Sequence, residues 1–415
     1  MSLLHLLAIV FTIAALSSWL NKRYLKLPSA IGVMSVSLLF SLILIAIGQT
    51  GIVDISVAYT VVGAVDFKAL LLHGMLAFLL FAGGLSVNLD DLKSEKGPIA
   101  ALATLGVAVS AFLTGSLFWS ALNALGIEVP FIIALLFGAI ISPTDAVAIL
   151  GILRKVGVPK SLETKVVGES LFNDGVGVVV FFTIMNIAFG ENPTAIEVIR
   201  SLGVEVFGGI FLGLALGWIA FMMLKAVDDY VVEILLTLAL ASGGYSLAEM
   251  LHMSAPICVV VAGLIIGNHG REWAMSEKTL EHLDTFWELI DELLNAVLFV
   301  LMGLKILTLS IDEHYVMAGV IGIGAVLLSR FISVWIPIAA MRRFRPFSPH
   351  VTKILTWGGL KGGISVALAL ALPVGEHSDL LVISTYVVVL FSVLVQGSTL
   401  PALLAYAKGS QRSAL

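Results

Sequence analysis

The sequence predicts an all-α polytopic membrane protein of about 13 transmembrane helices, organised as inverted six-helix repeats that each contain one breakable helix. Three observations carry that expectation. Hydrophobic residues make up 59% of the 415 positions and charged residues only 12%, and the mean hydropathy of +1.07 lies far above what a water-soluble chain of this length tolerates. Apolar runs of bilayer-spanning length recur along the whole chain, separated by short polar breaks. The basic residues gather in every second break, as they do in cytoplasmic loops. A net charge of −5 gives no reason to expect nucleic acid as a partner, and the single cysteine, Cys258, excludes an internal disulfide.

Taken in order, a window of about 19 residues places spans at 3–20, 28–48, 69–88, 98–122, 130–152, 164–189, 198–224, 231–250, 255–267, 287–307, 315–340, 350–372 and 380–406. The first reads as a retained anchor and not as a signal peptide, because no basic region precedes it, no A-x-A site follows, and "NKRYLK" comes directly after. The ninth is short. Ahead of the tenth, "REWAMSEKTLEHLDTFWELIDELL" mixes charges with Trp273, Phe286 and Trp287 and reads as an interfacial helix leading into the span. The tail "YAKGSQRSAL" is expected to be too short for a regulatory domain.

Alternate loops, counted from the first, carry Lys22, Arg23 and Lys26; Lys93 and Lys96; Arg154, Lys155 and Lys160; Lys225; Arg271 and Lys278; Arg342, Arg343, Arg345 and Lys353; and Lys408 and Arg412. The opposite loops hold only Lys68 and Arg200. This places the N-terminus outside, the C-terminus in the cytoplasm, and an odd number of spans between them. The first six and the last six then start on opposite sides, with the seventh joining them, which is the geometry of an inverted-topology repeat. The fifth segment of each half is breakable. "FGAIISPTDAVAILG" has Pro143 after Ser142, and "TWGGLKGGISVALALALP" has Gly358, Gly359, Gly362 and Gly363; proline removes a helical donor and glycine admits unusual dihedrals.

A charge near the bilayer centre costs about 2.5–3.5 kcal/mol on insertion scales and marks a cavity or a partner. Asp145, Glu169, Asp174, Arg330 and Lys361 all lie within apolar runs. At about 100° per residue, Glu169, Ser170, Asn173 and Asp174 of "GESLFNDGVG" share one arc of about 140°, so one face of the sixth span is polar. Gly175 and Gly177 beyond it admit a close neighbour. Arg330, always charged, neutralises one of the two carboxylates. The other then holds a proton or a hard monovalent cation in turn. Asp145 next to Thr144 suits exposed N–H groups at a half-helix start, and Lys361 suits exposed carbonyls. Lys305 near a helix end is expected to snorkel. The 8 histidines show no metal-ligand spacing. Without a Walker sequence, a dinucleotide fingerprint in context or a nucleophile elbow, neither an enzyme nor a bound cofactor is expected.

These residues resemble the NhaP-type Na+/H+ antiporters, relatives of the animal sodium/proton exchangers, in the Asn-Asp branch of the monovalent cation:proton antiporters. The resemblance runs through "LKLPSAIGV", "FLLFAGGLSVNLDDL", "SPTDAVAIL", "GESLFNDGVGVVVF", "LLSRF", "GGLKGGISVALALALP" and "FSVLVQGSTLPAL". It implies an inner-membrane homodimer of the NhaA/NhaP-like fold in which the fifth and twelfth helices cross at their breaks. Scaffold and dimer helices would occupy 1–97 and 231–313, transport helices 98–190 and 314–406, a linker helix 191–230, and a cytoplasmic tail 407–415. Asp174 resembles the ion- and proton-binding aspartate and Asn173 the asparagine that marks the branch. Ser170 and Thr144 resemble further Na+ ligands, Asp145 the aspartate behind them, and Glu169 with Arg330 the structural ion pair. Two positions depart from the pattern. Ala82 stands where some members carry a glutamate in the third helix, and Lys361 where relatives often have arginine. One titrating aspartate per protomer implies 1:1, electroneutral exchange of Na+ or Li+ for H+ by alternating access. A K+/H+ antiporter is the nearest rival; a cation channel, a membrane sensor and an anion symporter are more distant ones.

Overall fold

The computed structural model describes residues 3–49, 62–63, 66–67, 69–145, 149, 152–153, 156, 158, 160–190, 194–308, 312–343, 347, 350–373 and 375–412. No strand occurs among them, and helix occupies every segment in which a span was expected. Lys68, Arg154, Lys155 and Arg345, and much of the fifth segment after Asp145, lie outside the described residues.

The chain begins with α1 (Leu3–Leu20) and α2 (Ser29–Gln49). Next come α3 (Ala69–Ser86), the short α4 (Leu89–Ser94) and α5 (Lys96–Ala124). In the fifth segment α6 (Phe131–Ile141) stops just before Pro143. Helices α7 (Lys160–Ala188), α8 (Ala195–Lys225), α9 (Tyr230–Met250) and α10 (Ala255–Ile265) follow. Then come α11 (Glu277–Lys305) and α12 (Glu313–Met341). The twelfth segment is split into α13 (Val351–Trp357) and α14 (Gly363–Leu370), and α15 (Ser378–Ala407) closes the fold. Among the described residues, 8 helices are long and apolar enough to cross a membrane.

Sequence chemistry sets several of these ends. Thr194 and Glu197 form a reciprocal capping box that opens α8, Asp229 caps α9 through the amides of Val231 and Val232, and Asp312 caps α12. Small residues bring backbones together where the apolar effect supplies no preference between helix and lipid. Gly209, Gly213 and Gly217 recur every fourth residue on α8 and face Ser254, Cys258 and Ala262 along α10. Every residue of α10 is buried, whereas Phe207 and Phe211 on α8 are more than 70% exposed. An inner helix is thus wrapped by an outer one.

One expectation changes. The stretch read as an interfacial helix is not separate: residues from Glu277 onward belong to the same helix as the tenth span. Ser276 caps it, and no glycine or proline interrupts it before Gly303. Trp287 is not an exposed anchor. It is 3% exposed, packs on Phe81, and donates its indole N–H to Thr237 Oγ1 at 3.0 Å. Lys305 places its ammonium 5.1 Å above the centre of the Phe67 ring.

Candidate functional site

The two broken segments touch at their breaks. The main-chain N–H of Asp145 donates to the carbonyl of Leu360 at 2.8 Å. Lys361 Nζ donates to the carbonyls of Ser142 and Pro143 at 3.2 and 3.1 Å, and the main-chain N–H of Lys361 donates to Ser392 Oγ at 2.8 Å. The half-buried Asp145 side chain lies over Gly362, where an added Cβ would occupy the place of its carboxylate. Only glycine fits there.

Helix α7 brings its polar arc against the first break. Thr144 donates its N–H to Asn173 Oδ1 at 3.2 Å, and Asn173 Nδ2 donates back to Thr144 Oγ1 at 2.7 Å. The Thr144 and Ser170 hydroxyls are 2.9 Å apart. The break after α6 therefore has a fixed partner in α7, and the approach is close because Gly177 leaves room for the Pro143 ring. Gly175 similarly meets Ile257 of α10. Asn173 has no exposure and Asp174 is 6% exposed. Asp174 Oδ1 is buried, and among the described residues Asp174 Oδ1 has no hydrogen-bond partner and Asp174 makes no ion pair.

One turn away on the same helix, Glu169 Oε1 accepts from Arg330 Nη1 at 2.5 Å, both side chains almost fully buried. Gly359 of the second break backs the guanidinium. Beside it on α12, Ser329 Oγ meets Thr114 Oγ1 of α5 at 2.5 Å. The structure thus joins Thr144, Ser170 and Asn173 by hydrogen bonds and Glu169 with Arg330 as an ion pair, with Asp174 following Asn173 on α7, one turn beyond Ser170. Asp145 and Lys361 sit at the opposite helix ends of the crossing. Ala82 is buried on α3 and contributes no polar atom.

The polar features that escaped the sequence reading include two side-chain pairs. Lys165, at the start of α7, pairs with Glu95 Oε1 at 2.8 Å and donates to Ser161 Oγ at 2.6 Å, while its ammonium lies 5.6 Å from the Phe347 ring centre. Glu95 lies 70 residues from Lys165 in the chain, so nothing local signals the pair. Asp291 is half-buried on α11, with Asn295 Nδ2 donating to its carboxylate at 3.1 Å. Their i, i+4 spacing was the available signal, masked by the surrounding charges. No group of three His, Cys, Asp or Glu able to hold a metal ion occurs among the described residues. The oxygen-rich cluster around Asp174 mixes hydroxyls, an amide and a carboxylate, the hard donors that suit a small monovalent cation.

Comparison with known proteins agrees with this architecture. The family described as "Sodium/hydrogen exchanger, transmembrane" matches residues 10–406. The Na+/H+ antiporter NhaP of Pseudomonas aeruginosa is 48% identical over 401 residues, 95% of each chain. The Na+/H+ antiporter NhaH of Halobacillus aidingensis is 32% identical over 405 residues, covering 96% of this chain and 95% of that one. Among solved structures, the sodium proton antiporter MjNhaP1 from Methanocaldococcus jannaschii at pH 8 superposes with a TM-score of 0.78 at 19% identity, covering 99% of this chain and 100% of that one, which establishes a shared fold. With a match across nearly its whole length, the chain belongs to the transmembrane sodium/hydrogen exchanger family.

Proposed function

We propose that this protein exchanges Na+ or Li+ for H+ across the cell inner membrane, one for one and without net charge movement, with Asp174 as the group both ions share. The observation that carries the proposal is the buried Asp174 carboxylate, whose Oδ1 has no partner among the described residues, while Thr144, Ser170 and Asn173, the residue before it, are tied together. A carboxylate left unpaired in a dry site is costly unless something neutralises it. A proton or a cation does so, never both at once. Thr144 and Ser170 supply further oxygens for Na+, and Asn173 holds Thr144 in place. Glu169 and Arg330 neutralise each other and stay out of the exchange. Asp145 and Lys361 balance the helix ends at the crossing. The relatives named above as Na+/H+ antiporters support Na+ over K+ as the cargo.

Alternating access moves the transport helices, residues 98–190 and 314–406, against a dimerising scaffold of residues 1–97 and 231–313, joined through 191–230. The homodimer spans the membrane with its N-termini outside and its C-termini in the cytoplasm. The ion gradient alone drives the cycle, without a cofactor.

The experiment is dissipation of an imposed pH gradient in proteoliposomes on addition of Na+, Li+ or K+, run beside Asp174→Asn. The expected response follows Na+ and Li+, persists at imposed membrane voltages of either sign, and disappears in the variant. A response to K+ alone changes the cargo, net current ends the one-for-one stoichiometry, and a response that survives Asp174→Asn removes the shared site.

A further inference from the structure

Three helices leave a groove of about 430 Å³ on the protein surface, and none of its lining side chains belongs to the Asp174 cluster. Phe331 of α12 forms one wall, Lys353 and Trp357 of α13 the second, and Thr399 and Leu403 of α15 the third. The groove has a polar end and an apolar end. Lys353 is exposed near the start of α13, and Arg342 and Arg343, also exposed, follow the last residue of α12. Phe331 lies about ten residues before that end, or roughly 15 Å at 1.5 Å per residue. This is half of a hydrocarbon core of about 30 Å. Along α13 the groove itself runs from Lys353 to Trp357, one helical turn or about 6 Å, with the ammonium at one end and the Phe331, Trp357 and Leu403 side chains at the other.

Its walls are unequal in charge. The Trp357 indole donates to Thr399 Oγ1 at 3.0 Å, which pairs these two groups and leaves Thr356 as the other hydroxyl among the described lining residues. Lys353 makes no ion pair with a described residue, and no acidic residue is among the described residues that line the groove. A lone ammonium at the mouth of an apolar slot selects a ligand with a long hydrocarbon chain and an anionic head.

We propose that this groove binds one acidic phospholipid, its phosphate on Lys353 and one acyl chain along Leu403, Trp357 and Phe331. The position links it to the crossing. Trp357 is the last residue of α13, its carbonyl accepts from Gln396 Nε2 at 3.1 Å, and the break that begins at Gly358 leads to Lys361. A bound lipid braces α13 against α15 just ahead of the break.

The test is native mass spectrometry of the full-length, delipidated protein incubated with equal amounts of phosphatidylglycerol and phosphatidylcholine of identical chains, with inorganic phosphate as competitor. Wild type is expected to retain phosphatidylglycerol over phosphatidylcholine by about fivefold, the worth of one basic residue near an acidic surface, and inorganic phosphate is expected not to displace it. Lys353→Gln should erase the preference and Lys353→Arg restore it. Leu403→Trp, which fills the slot without changing charge, should lose retained lipid of both kinds. Lys225→Gln, at the distant end of α8, should behave as wild type. The proposal is overturned if Lys353→Gln keeps the preference, if Leu403→Trp retains lipid at the wild-type level, if phosphate alone displaces it, or if Lys225→Gln loses as much as Lys353→Gln.

Discussion

The ammonium of Lys361 caps the carbonyl of Pro143 at 3.1 Å, across 218 residues of chain, and so the charge carried by one broken segment serves the helix end of the other. The arrangement is reciprocal, because Asp145 from the first break lies over Gly362, immediately before α14. Helix C-termini present unpaired carbonyls and a negative partial charge, and N-termini the reverse. Each break thus receives the sign it needs.

Replacing Lys361 with methionine keeps the length of the side chain and removes its donor. The buried carbonyls of Ser142 and Pro143 then lose that partner, at a cost of about 1–3 kcal/mol. The expected outcome is a lower thermal unfolding midpoint in detergent. An unchanged midpoint would mean that these carbonyls are satisfied in another way.

Glu169→Ala leaves Arg330 buried and uncompensated, which costs about 3–5 kcal/mol. The double variant Glu169→Leu with Arg330→Met should recover much of that loss, since two apolar residues replace a desolvated pair. Size-exclusion profiles and thermal midpoints of the single and double variants decide the matter. A single variant as stable as wild type would remove the structural role of the pair.

Much of this arrangement was legible in the sequence, for identifiable reasons. Pro143 and the Gly358–Gly363 run punctuate their helices locally, so the interruptions at α6 and between α13 and α14 could be placed from composition. The polar arc of α7 follows from helical period alone. What a pattern along the chain cannot carry is the partner of a long-range contact. Glu95 with Lys165, and Lys361 with the carbonyls of the other break, depend on how distant segments pack. The continuity of α11 was missed for another reason. A hydropathy window ends where charges begin, whereas the helix continues as long as its residues favour helix and one face stays buried, as Leu283 and Trp287 are.

Two glycine substitutions should diverge in effect. A Cβ at Gly177 would meet the Pro143 ring at 2.6 Å, whereas one at Gly243 on α9 would meet nothing within 4 Å. Gly177→Ala forces α7 away from the break that holds Thr144, an overpacking cost of about 1–3 kcal/mol, and should depress exchange together with stability. Gly243→Ala should be neutral or stabilising by up to about 1 kcal/mol. Thermal midpoints and initial exchange rates measured on both variants test this. Equal effects would mean that the contact between Gly177 and Pro143 does not hold the site.

Competition at Asp174 makes a kinetic prediction that a merely buried carboxylate does not share. If one carboxylate holds either a proton or Na+, protons act as a competitive ligand, and mass action fixes the sign. As the pH falls, the apparent KM for Na+ should rise, by up to roughly tenfold per pH unit once the proton is the main occupant, while the maximal rate at saturating Na+ stays constant. Separate sites for the two ions would instead leave KM unchanged and lower the maximal rate. Initial rates in proteoliposomes with equal pH on both sides, at several Na+ concentrations and pH values, distinguish the two. Ser170→Ala provides the internal control: it removes a hydroxyl from the Thr144 pair but not the carboxylate, so KM should rise at every pH with the same slope against pH. A flattened slope in that variant would move the proton site away from Asp174.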